Sequence, residues 1–114
     1  MIDKVKKKWL KALRSGDYVQ GMNALCSTRS RGGDRFCCLG VLANELAPGK
    51  WEDSGVVPDV LPRNSLSMYG SFIYLEPCLL DLAELPSSKM RLLSRMNDEG
   101  KSFEWIADFI EKSL

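Results

Sequence analysis

Cys37 and Cys38 stand side by side in the longest apolar run of the chain, Phe36-Cys37-Cys38-Leu39-Gly40-Val41-Leu42, with Cys26 before it and Cys78 after. A thiol can serve as a nucleophile or a metal ligand, but each role needs a setting. A nucleophilic cysteine wants a base or cation beside it to lower its pKa. The chain has no histidine. That removes Ser-His and Cys-His pairs, histidine general bases and histidine-containing zinc sites. Arg31, Arg35 or a helix N-terminus are left as activators of Cys38, while its apolar neighbours predict burial, which raises a thiol pKa. A four-cysteine zinc site needs the two-residue gap that turns paired thiolates toward one metal, and Cys37-Cys38 lacks it. The thiols are therefore expected to be reduced core residues acting as small hydrophobes, with no metal and no cofactor.

Two other groupings carry possible chemistry. Glu52-Asp53 and Asp98-Glu99 are adjacent carboxylates in turn-like contexts, where neighbours usually point apart. Neither a P-loop nor a dinucleotide motif is present. The segment Arg31-Gly32-Gly33-Asp34-Arg35 can cradle an anion, because glycines let backbone amides converge and arginines supply forked donors. Around it, Tyr18 or Tyr74 would stack on a base and Gln20 would make a polar contact. The candidate binding residues are thus Tyr18, Gln20, Arg31, Arg35 and Tyr74, and no catalytic residue is assigned.

The chain that must position these groups has 114 residues, enough for one domain, 1–114. Apolar content of 45% and charged content of 27% are those of an ordinary globular domain. The net charge of +1 argues against a strongly basic nucleic-acid protein, so nucleic acid is not the expected partner. The charge is uneven: nine Lys/Arg face three Asp/Glu up to Arg35, and six face nine from Pro58 onward. Such a front can steer an anionic partner. The stretch Trp9–Leu13 is broken by Lys11, so no signal-peptide core follows the N-terminal lysines, and no run is long enough to span a membrane. A cytoplasmic protein is expected.

Periodicity predicts the elements. Ile2, Val5, Trp9 and Leu13 give an amphipathic helix over 2–14, ended by Ser15-Gly16 with Gly16 left-handed. Residues 22–26 and the segment into Phe36 read as strands joined through a long polar loop over 27–34. Cys38–Leu46 fits a helix, stopped by Pro48-Gly49, and Gly40 inside it implies a close neighbour. Ser71–Leu75 reads as a strand. Ser87 or Ser88 would cap a helix running to about Met96, Asn97–Gly100 reads as a turn, and Ser102 would cap a last helix carrying Phe103, Ile106, Ala107 and Ile110. The fold class expected is α+β, three or four helices on a short antiparallel sheet.

Several of these strings together carry a resemblance: Leu13-Arg14-Ser15-Gly16-Asp17-Tyr18-Val19-Gln20-Gly21, then Asp34-Arg35 leading into the Phe36–Leu42 run, then Leu61-Pro62, then Met96-Asn97-Asp98-Glu99-Gly100-Lys101-Ser102-Phe103 and Ile106-Ala107-Asp108. The chain resembles a widespread group of small tailed-bacteriophage proteins. It departs from them at Ala43-Asn44, where similar proteins have a Cys-Asp type pair, and at Met96, where they have Leu. The resemblance implies a phage accessory product in the cytoplasm of an infected bacterium, of the kind that counters host defence by binding. The function expected is sequestration of a small anionic, nucleotide-derived ligand. Two alternatives stay open: a protein-binding inhibitor of a host factor, and a small hydrolase using Cys or carboxylates. A homodimer is expected.

Overall fold

A computed structural model describes residues 1–22, 25–27, 35–46, 51–52, 68–69, 80–81 and 83–114. Arg31, Tyr74, Cys78, the 28–34 loop and the strand expected over 71–75 lie outside the described residues. Among the described residues the fold is α+β, with helices α1 (Asp3–Arg14), α2 (Cys38–Leu46), α3 (Ser87–Asp98) and α4 (Phe103–Ser113). Short strands β1 (Val19–Gln20), β2 (Cys26–Ser27), β3 (Arg35–Phe36), β4 (Trp51–Glu52) and β5 (Met68–Tyr69) form two small sheets.

The expected antiparallel sheet is corrected. β2 does pair antiparallel with β3, Cys26 opposite Phe36, as a hairpin reading requires. However, β3 inserts between β2 and β1, and it runs parallel to β1, Val19 opposite Arg35. The second sheet, β4 with β5, is parallel as well. Insertion of β3 satisfies its backbone on both sides, and Gly21 lets the strands close: its N–H donates to the Phe36 carbonyl at 2.8 Å. A Cβ on Gly21 would stand 2.9 Å from that of Arg35.

α2 is the central helix. Cys38 through Ala43 are all buried, against α1 on one side and α3 on another. Trp9 and Leu13 of α1, Leu39 and Leu42 of α2, Leu93 of α3 and Ile106 and Ile110 of α4 close one core, to which Leu25, Ala83 and Leu85 belong. Each such large side chain contributes about 1.5–3 kcal/mol by leaving water. The Trp9 indole also donates to the Cys38 carbonyl at 2.9 Å, so its one polar atom is not wasted in the core.

The helix ends follow local chemistry. Gly16 has φ +80° after α1, and Ser102 accepts from the Trp105 N–H to start α4. For α3 the expected serine cap is corrected: Pro86 is the N-cap residue, no side chain caps the helix, and Ser87 is already helical. The expected turn at Asn97 is corrected too, since α3 continues through Asp98. Its end is a Schellman motif with Gly100 at φ +93°; Lys101 N–H donates to the Met96 carbonyl and Gly100 N–H to that of Asn97, both at 3.1 Å.

Candidate functional site

Asn97 is wholly buried, and its amide joins three segments. Its Oδ1 accepts from the Cys38 N–H at 3.1 Å and from Gln20 Nε2 at 3.0 Å, and its Nδ2 donates to the Gly21 carbonyl at 2.7 Å. Gln20 Nε2 also donates to the Lys101 carbonyl at 2.6 Å. The end of α3, the start of α2 and the exit of β1 are therefore tied through one side chain.

The head of α2 is closed by the protein itself. Cys37 occupies the N-cap position: its carbonyl accepts from Val41 N–H at 3.1 Å, and its Sγ accepts from Gly40 N–H at 3.4 Å. Asn97 takes the N–H of Cys38. A free helix N-terminus draws anions and lowers thiol pKa values. Here those amides already have partners, and burial decides: it pushes the Cys37 thiol up to about 11 and the Cys38 thiol well above its ordinary value. Both cysteines are free thiols, and Cys38 Sγ lies 3.5 Å from the Leu93 carbonyl as a donor. A neutral buried thiol is a poor nucleophile.

This has a consequence for stability at alkaline pH. The folded state keeps the Cys37 proton to about 11, while an exposed thiol releases it near 9.0, so the fold binds more protons than the unfolded chain in that window. Stability should fall as pH rises from 9 to 11, by up to about 2–3 kcal/mol for this thiol. Urea midpoints at pH 8 and pH 10.5 measure the fall, and Cys37→Ala should make it smaller. An equal fall in the two proteins would assign it to other groups.

Of the residues expected to bind a ligand, Tyr18 precedes β1, Gln20 lies in it and Arg35 lies in β3, but Arg35 pairs with Val19 and Gln20 with Phe36, so Arg35 takes the opposite face of the strand pair from Gln20. Two of them turn their polar atoms inward. The half-buried Tyr18 packs edge-on against Phe36 with ring centroids 5.0 Å apart, and its hydroxyl accepts from Asn44 at 2.8 Å and donates to Glu45 at 3.3 Å. Gln20 is committed to Asn97 and Lys101. Arg35 is exposed and makes no ion pair with a described residue. Asp53 of the first carboxylate pair lies outside the described residues; Asp98 ends α3 and Glu99 is its C-cap residue. No group of three or more His, Cys, Asp or Glu able to hold a metal occurs among the described residues.

A groove of about 670 Å³ runs along the outer side of α3, with Ser88, Arg91 and Arg95 along it and Asp98 and Glu99 at one end. Ser88, Arg91 and Arg95 recur at steps of three and four, the signal that would have marked them. Asn97 was hidden by its turn-like neighbours, although it extends the buried Met90–Leu93 row by four residues.

Fold and site together define a small α+β protein with a polar but hydrogen-bonded centre, buried thiols and an arginine-bearing groove on one helix. The chain belongs to the family described as a domain of unknown function, DUF8296, which matches residues 1–59. That match takes in α1, β1 to β4 and α2, and stops short of the helix that carries Asn97. No curated protein and no solved structure matches the chain.

Proposed function

We propose that the protein acts by non-covalent binding and sequesters a small phosphate-bearing, nucleotide-derived anion, as a phage-type accessory protein in the cytoplasm of an infected bacterium. The α3 groove carries this reading. Arg91 and Arg95, one turn apart, present two guanidinium forks to the same space, with the Ser88 hydroxyl in line. Glu99 at the groove end favours a ligand with a hydrogen-bond donor beside its phosphate. The raised thiol pKa values weigh against a cysteine hydrolase.

Calorimetry against a panel of cyclic and linear nucleotides tests the proposal, and absence of heat with every member would sink it. Arg91→Ala and Arg95→Ala should each weaken binding by about tenfold or more, because a charge-assisted hydrogen bond is worth about 1.5–3 kcal/mol. Loss of affinity in Arg35→Ala with Arg91→Ala neutral would instead move the ligand to β3.

One observation favours the second reading, a protein-binding inhibitor. Trp105 is 43% exposed, stacks on Phe109 at 6.1 Å, and has the Lys101 ammonium 4.8 Å above its ring. Exposed Trp is typical of interface hot spots. A second copy of the chain is one such partner, read by light scattering as twice the 12.8 kDa mass.

A further inference from the structure

The cations of α1 divide into two sets. Half-buried Lys6 donates to the Glu111 carbonyl at 3.2 Å, and Arg14 pairs with Asp108 at 2.9 Å and Glu111 at 3.0 Å, so both are used to hold α1 against α4. Lys4, Lys7, Lys8 and Lys11 are exposed and make no ion pair with any described residue. Their spacing places them within an arc of about 100°, opposite Trp9 and Leu13, over about 10 Å of helix. Asp3, one turn before Lys7, makes no ion pair with it. The apolar side of this same helix is consumed by the core: Trp9 is 0% and Leu13 4% exposed.

We propose that the outward lysine face of α1 is an electrostatic docking surface for the phosphate backbone of a nucleic-acid duplex. The inference concerns a different surface from the α3 groove and does not rest on it. The overall charge of +1 averages this face with the acidic second half of the chain, whereas a docked phosphate senses the local field, screened beyond about 10 Å. Three kinds of polyanion could meet four lysines, and the structure favours one. An anionic membrane gains about 1 kcal/mol per lysine and usually needs an inserted apolar face as second anchor, which α1 has buried. Protein interfaces are depleted in lysine and built on aromatic or arginine anchors, and none stands among these four. A phosphate backbone needs only point charges, since released counterions supply the free energy.

Fluorescence anisotropy with a labelled 20-base-pair DNA duplex and the full chain tests this. Four phosphate contacts predict a slope of about −3.6 in log affinity against log salt, a loss of about 150-fold between 50 and 200 mM. The double variant Lys7→Gln/Lys8→Gln should lower the slope to about −1.8. Thermal unfolding of the variant should match the parent, because exposed substitutions shift stability by no more than about 0.5 kcal/mol. No duplex binding at 50 mM salt, or a slope unmoved in the double variant, overturns the proposal. So does capture by vesicles containing anionic lipid without capture by the duplex.

Discussion

Gly40→Ala should destabilise the protein by about 3 kcal/mol or more, although alanine is the better helix former by about 1 kcal/mol. The two effects have opposite signs, and the geometry decides between them. A Cβ on Gly40 would overlap the Leu25 carbonyl oxygen and come within 2.7 Å of the Leu25 carbonyl carbon. Those are backbone atoms, so no rotamer change relieves the clash. That same carbonyl accepts the Cys37 N–H at 3.2 Å, so pushing Leu25 away also loosens the N-cap of α2. Leu25 is itself 1% exposed and sits in the core. Denaturant midpoints of parent and variant give the answer, and a variant as stable as the parent would show that α2 and Leu25 are not in contact.

The second large effect belongs to Asn97. Asn97→Leu keeps the volume but strips the amide, leaving the Gly21 carbonyl, the Cys38 N–H and Gln20 without this partner. Each buried polar group left unpaired costs about 1–3 kcal/mol, so a total loss of about 3–5 kcal/mol is expected. Gln20→Ala should cost less, about 1 kcal/mol, because Gln20 is half-buried and water can replace it. Urea unfolding of both variants checks the order. If Asn97→Leu cost no more than Gln20→Ala, the Asn97 amide would not be the tie between α3, α2 and β1.

Much of the helical part was legible, for a reason visible in the residues. α1, α2 and α4 each carry an apolar row at steps of three and four together with local end signals such as Gly16 and Ser102. Gly40 was readable as a point of close approach, since a glycine inside an apolar helix needs a cause; which atom approaches was not. The sheet was less legible. Two-residue strands carry almost no alternation, and nothing in β1 or β3 by itself fixes the direction in which the two pair. The site was least legible. Tyr18 and Gln20 look like ligand contacts in sequence because a ring can stack on a base and an amide can make a polar contact, yet their partners Asn44, Glu45, Asn97 and Lys101 come from distant segments.

Sequence alone determined what this protein lacks and what it buries: it has no histidine, and its paired cysteines lie inside an apolar run that the core takes up. It also determined which face of α1 would be basic, because helical spacing sorts lysines from Trp9 and Leu13 before any packing occurs. Tertiary structure alone decided which polar groups are spent inside and which remain for a partner. That choice depends on distances between residues such as Gln20 and Asn97, 77 positions apart, and hydrogen bonds across such separations are fixed only when the core closes.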